Sequence, residues 1–205
     1  MPKPSKPDPF APGFKADLHL SKRPEYARAL GELCGNWALM ELKLFGVFAT
    51  LSGAPLLMAR TIFYSLHTTR TRCDMLKALA HAVLGGAEPE DLEHPLNKLD
   101  NLLRRINRSA GKRNAYVHDA WLAPVTDDKA TAQLRLSGAS SHGEIEEVKP
   151  KDMLQLAKKA EDYSDELARW IGAIEDKVRA LLEIHRKQQF LALELTRTGT
   201  PRRKS

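Results

Sequence analysis

The stretch PKDMLQLAKKAEDYSDELARWIGAIEDKVRALLEI, Pro150 to Ile184, carries the most regular pattern in the chain. Leu154, Ala157, Ala160, Leu167, Trp170, Ile171, Ile174, Val178 and Leu181 recur at three- and four-residue steps. That is the period of one face of a helix, whereas a strand would alternate every second residue. Pro150 suits the first helical turn, where its missing N–H costs nothing. One apolar stripe on a long helix must be covered by other helices, so the stretch predicts a helical bundle and directs the search for the partners of the stripe.

Three further helical patterns lie upstream. The first begins near Pro24, with Ser21 as its cap, and runs to about Leu51, with Leu30, Leu33, Trp37, Leu44, Phe48 and Leu51 on one side. Glu41 falls on that same side, where a carboxylate needs a partner or water. Gly53 and Pro55 make a turn, and a second helix is predicted over Pro55 to Leu84. Its buried side would carry Met58, Ile62, Leu66, Cys73, Leu76, Ala80 and Val83, interrupted by Arg70 and Arg72. Either arginine can be solvated or can answer Glu41. The third helix follows the acidic turn at Glu88, Glu90 and Asp91 and is read from Leu96 to about Asp119, since Pro95 shortens its start. It buries Leu99, Leu103, Ile106 and Ala110.

Between Trp121 and Val148 the pattern changes. Gln133-Leu134-Arg135-Leu136-Ser137 alternates with period two beside a Gly/Ser-rich turn, which predicts a β-hairpin. The fold class is therefore all-α, an up-and-down bundle of about four long helices with a small β-hairpin insert between the third and last. Residues 1–22 read as a flexible Pro/Lys-rich segment, 23–185 as the bundle with its insert at about 121–149, and 186–205 as a basic tail.

The 205 residues are 42% apolar and 28% charged, ordinary for one well-buried domain. Cys34 and Cys73 have no partner at metal-ligand spacing, which argues against a zinc site or a disulfide framework and fits a reducing cytoplasm. His67, His81, His94 and His185 are scattered, so no metal and no cofactor are expected. The N-terminus lacks the apolar run of a secretory signal, and no stretch is apolar for long enough to suggest a membrane span. The net charge of +6 is concentrated towards the C-terminus, in Arg186, Lys187, Arg197, Arg202, Arg203 and Lys204. Such a tail can hold phosphates or can simply be solvated.

The third helix ends in RNAYVHDAW, Arg113 to Trp121. Continuing its buried register past Ala110 turns Arg113 and Val117 inward, and a guanidinium there requires an anion or water because it cannot shed its charge. Asn114 and His118 are four residues apart and share a face. Arg113 and His118 are about 140° apart around the helix, so only the arginine's length or a distortion near Gly111 lets both reach one ligand. Histidine exchanges protons near neutrality, arginine offers a planar fork to phosphate and asparagine can orient either. Those are the parts for metal-free phosphodiester cleavage of RNA. The same residues are also those of a capping histidine and a surface arginine at a helix end.

Arg113-Asn114-Ala115-Tyr116-Val117-His118 resembles the signature of the HEPN superfamily, set late in the third helix of a bundle of about four. The resemblance covers roughly Leu30 to Leu182. It implies a metal-independent endoribonuclease, of the kind found as toxins or defence effectors, that forms a homodimer and can be held by an antitoxin protein. On this resemblance Arg113 would polarise the phosphate, Asn114 position it and His118 act as base or acid, with the partner copy supplying the second histidine. Family members silenced by nucleotide modification have a tyrosine two residues after the histidine, and Ala120 stands there in this chain. Tyr116 offers a hydroxyl inside the motif. Glu41, Arg70, Arg72, Tyr116 and Asp119 are further site candidates. Some members of the superfamily are non-catalytic, so an interaction module binding RNA or a partner protein is the alternative.

Overall fold

A computed structural model of the chain describes residues 14–16, 23–85, 89–118, 120–124, 132–135 and 144–198. Five helices run in the order α1 (Pro24–Ser52), α2 (Leu56–Ser65), α3 (Thr69–Leu84), α4 (Pro89–His118) and α5 (Pro150–Thr198). Apart from Val148, every buried apolar side chain among the described residues belongs to one of them, so the core is all-α, as the stripes predicted.

The predicted second helix is in fact two. Leu66 is extended, and Thr68 caps α3 by accepting the N–H of Thr71 at 3.1 Å. A threonine oxygen at this position satisfies one of the free donors of a new helix, which is why the chain breaks there and restarts. The break also shifts the register. Ala59 and Phe63 are buried on α2, whereas Met58 and Ile62, expected inside, are exposed. Helix α4 starts earlier than expected, at Pro89, and runs through Pro95, whose carbonyl accepts the indole N–H of Trp170 at 2.8 Å. On α5, Leu154 is exposed, contrary to its place in the stripe. That helix also continues past Ile184 to Thr198, so residues 186–198 of the predicted tail are helical.

The expected two-stranded hairpin is replaced by a different arrangement. Strands β1 (Phe14–Ala16), β2 (Ala120–Pro124), β3 (Ala132–Arg135) and β4 (Glu144–Glu147) pair antiparallel in the order β1-β2-β3-β4. Trp121 lies opposite Gln133, Leu134 opposite Ile145 and Lys15 opposite Ala123. The period-two signal at Gln133 to Arg135 marks β3, but the outer strand comes from the N-terminal segment, a long-range pairing that local pattern does not reveal. Ser21, Asp119, the connections of the sheet and Gly199 to Ser205 lie outside the described residues.

The chain divides into two compact units, residues 1–40 with 105–164 and residues 41–104 with 165–205. In the first, Tyr26, Ala29 and Leu33 of α1 pack with Val148 and with Met153, Leu156 and Ala157 of α5. Two polar contacts pin this core: the Tyr26 hydroxyl donates to the Val148 carbonyl at 3.0 Å and the Asn36 amide to the Ala157 carbonyl at 3.2 Å. In the second, Gly53 holds φ +55° between α1 and α2, and a Cβ there would meet Leu182 at 2.7 Å. Glycine takes up that left-handed conformation without strain, and a side chain there would also have to push the Leu182 methyl aside. Among the described residues no helix is long and apolar enough to cross a membrane.

Candidate functional site

The RNAYVH motif occupies the last turn and a half of α4, in the first unit. Leu102, Leu103, Ile106 and Ala110 bury one side of the helix, and Tyr163 of α5 covers the flank, sharing a 3.1 Å hydrogen bond with Ser109 while Arg105 lies 5.4 Å over its ring. This packing sets the rotation of the helix and hence the direction of each motif side chain.

Arg113 is half-buried, as the extended register predicted. One terminal nitrogen donates to Asn114 Oδ1 at 3.1 Å, but Nε is buried and has no hydrogen-bond partner. Leaving a charged donor unmatched away from water is costly, and sites that receive a ligand anion carry that cost in the empty state. Asn114 and His118 are exposed, with His118 the final helical residue. Tyr116 is half-buried and packs against the Tyr26, Met153 and Leu156 cluster, so it serves the core. Asp119 lies outside the described residues, as do the side chains of Ala120 and Trp121.

One residue escaped the sequence reading. Asn107 also has a buried side-chain oxygen without a partner. Asn107, Gly111, Asn114 and His118 follow one another at i, i+4, i+7 and i+11, so they line one face of α4. A Cβ built on Gly111 meets nothing within 4 Å, which leaves the middle of that face open to a molecule approaching the backbone. The spacing was present in the sequence, but asparagine is common on exposed helix faces and nothing singled it out.

Glu41, Arg70 and Arg72 belong to the second unit and form a network of their own. Arg72, rather than Arg70, answers Glu41. Its Nη1 is 3.2 Å from Glu41 Oε1, its Nε donates to the Leu66 carbonyl at 3.0 Å, and its guanidinium lies 5.2 Å from the centre of the Phe63 ring and 5.4 Å from that of Tyr64. Thr69 donates to the same Glu41 oxygen at 3.2 Å. The Arg72 side chain is 11% exposed, while that of Arg70 is 85% exposed and only approaches Asp74, at 3.9 Å. Beside this network, burial pushes the Cys73 thiol up to about 12, with the Asp74 and Glu41 carboxylates adding to the effect and Arg72 opposing it. Such a thiol is inert as a nucleophile near neutral pH.

A second polar cluster joins α3 to α4. Asp100 Oδ2 receives Lys77 at 2.8 Å and His81 Nε2 at 3.3 Å. Burial works to raise the Asp100 carboxyl, but hydrogen bonds and charge from Lys77 and His81 outweigh it and hold the group below its usual range. Among the described residues no group of three or more histidine, cysteine or acidic side chains is arranged to hold a metal ion. No family model, no curated protein and no solved structure matches the chain.

Proposed function

We propose that this protein is a metal-independent endoribonuclease of HEPN type, acting as a cytoplasmic toxin or defence effector and working as a homodimer. The observation that carries the reading is the pairing of Arg113 with Asn114 while the buried Nε of the same guanidinium stays unmatched, one turn before an exposed His118. On this reading His118 takes the proton of a ribose 2′-hydroxyl and the oxygen attacks the adjacent phosphorus. Arg113 neutralises the charge gathering on the phosphate, with Asn114 fixing the guanidinium plane. The 5′-oxygen leaves with a proton from the second histidine of the pair, giving a 2′,3′-cyclic phosphate and a 5′-hydroxyl. Asn107, on the same face as Asn114 and His118, is suited to contact the ribose or base. An antitoxin protein would act by covering this face.

The test is cleavage of an end-labelled mixed-sequence RNA by the purified chain in excess EDTA. The expected outcome is cyclic-phosphate ends that disappear with His118→Ala and with Arg113→Ala. If folded protein leaves a panel of single-stranded, structured and transfer RNAs intact, the motif serves a non-catalytic module that binds RNA or a partner protein.

A further inference from the structure

The outer side of α4 holds charge that the fold does not match. From Arg105 to His118 this helix carries Arg105, Arg108, Lys112 and Arg113 and no carboxylate. Arg105, Arg108 and Lys112 follow at i, i+3 and i+7, so they share a flank, and that flank borders the face of Asn107, Gly111, Asn114 and His118. Like charges at those spacings weaken a helix. Elsewhere in the same unit the spacing is used to match charge, Arg28 meeting Glu32 at 2.8 Å and Lys158 meeting Glu161 at 3.0 Å and Asp162 at 3.4 Å. Arg108 and Lys112 are exposed, and among the described residues neither side chain has a hydrogen-bond or ion-pair partner. Arg105 is stacked over Tyr163, which helps to fix the rotation of the helix and so the direction of the flank.

We infer that an RNA strand passing His118 continues along this flank, with Arg108 and Lys112 holding the phosphates next to the one at the motif. The inference rests on the proposed function for its ligand and adds where that ligand lies. Arg108 and Lys112 are about 6 Å apart along the helix axis and Lys112 about 9 Å from His118, steps comparable to those between neighbouring phosphates of one strand. Cations in such a row bind the backbone of any sequence, by neutralising phosphates and releasing their counterions. Between the flank and His118 lies Gly111, where a Cβ would meet nothing within 4 Å, which leaves room for a sugar. The buried amide oxygen of Asn107 still lacks a donor, and a ribose hydroxyl or a base amino group can supply one. The substrate is single-stranded. Attack by a 2′-hydroxyl needs its oxygen in line with the bond to the 5′-oxygen, and a stacked duplex holds the two out of line, whereas a lone strand lying on a helix face can turn there.

The experiment is fluorescence anisotropy with a labelled 2′-O-methyl RNA of mixed sequence, which has the backbone of a strand but no 2′-hydroxyl to attack, titrated with the full chain from about 50 to about 200 mM salt. Arg108→Gln combined with Lys112→Gln is expected to weaken binding at least about 10-fold at the lowest salt and to make log affinity fall less steeply with log salt, by about 1.4 in slope for two phosphates at ~0.7 each. Arg28→Gln combined with Lys158→Gln removes the same charge from exposed positions elsewhere in the unit and should leave affinity within about 2-fold of the parent. Circular dichroism checks that both double variants keep the fold. In cleavage of ordinary RNA the first variant raises KM and leaves kcat near the parent value, since these cations hold the strand equally before and during the reaction. A parent chain that does not bind overturns the inference, as does a first variant that binds like the parent or a control variant that is weakened as much. Tighter binding of the same sequence as a duplex overturns it too. Because the probe is not cut, binding that depends on Arg108 and Lys112 stands even where no RNA is cleaved, and cleavage whose KM is indifferent to both overturns the inference while leaving the nuclease.

Discussion

Two arginines interrupt apolar stripes in this protein, Arg72 at the start of α3 and Arg113 near the end of α4, and their surroundings are opposite. Around Arg72 everything is supplied: a carboxylate, a backbone carbonyl and two aromatic faces. Around Arg113 one neighbouring amide oxygen takes a terminal nitrogen, and Nε is left inside without a partner. A guanidinium whose charge is matched by its own fold has nothing left to give a ligand, whereas one held half-buried and incompletely matched is prepared for an incoming anion. The contrast assigns Arg72 to architecture and leaves Arg113 as the arginine available to the proposed site. Sequence reading placed Arg72 among the further site candidates because it interrupts a stripe and Arg113 among the first because of the RNAYVH motif, and neither ground shows which guanidinium the fold itself matches.

The strongest way to break the contrast is through activity. His118→Ala is expected to lower RNA cleavage by about 10³-fold, within the span of a positioned acid or base, and Arg113→Ala by about 10²-fold, as for loss of one charge-stabilising donor. Arg72→Met, assayed at a temperature where it remains folded, should cleave at the parent rate. A loss of cleavage in Arg72→Met equal to that in Arg113→Ala would end the division of labour.

Stability should show the mirror image. Arg72→Met leaves the 28% exposed Glu41 carboxylate without its counter-charge and strips the Leu66 carbonyl of its donor. A loss of about 2 kcal/mol is expected in urea unfolding. Arg113→Met removes an unmatched donor while keeping the apolar stem, so its midpoint should stay within about 1 kcal/mol of the parent or rise. Should Arg113→Met prove the more damaging of the two, Arg113 is structural.

The smallest effect concerns acid. Because the folded protein holds the Asp100 carboxyl below its usual range, the unfolded chain binds that proton more readily. The stabilisation from Asp100 is therefore present above about pH 4, the unfolded value, and is lost as pH falls through the lower folded value. Asp100→Asn should flatten the acid limb of the unfolding midpoint against pH and leave cleavage at neutral pH intact. An unchanged acid limb would mean that the Lys77 and His81 contacts do not persist in solution.

Much of the fold was legible in order of residues alone. Helical periodicity located the cores of α1, α4 and α5, and Leu99, Leu103, Ile106, Ile174 and Val178 are buried as their spacing required. Proline and glycine marked the turn at Gly53 to Pro55, and the same register turned Arg113 inward. These features follow from local chemistry: the 3.6-residue period, the cost of an exposed stripe and the conformational limits of two residue types. Tertiary structure decided what depends on partners distant in sequence. It chose Arg72 over Arg70 to meet Glu41, because the restart of α3 at Thr68 swings one arginine over Phe63 and leaves the other in water. It set α2 one residue out of the expected register, with Phe63 in and Ile62 out. It added β1 to the sheet, and it left Asp100, Asn107 and Arg113 each holding a buried polar atom that nothing in the described chain satisfies.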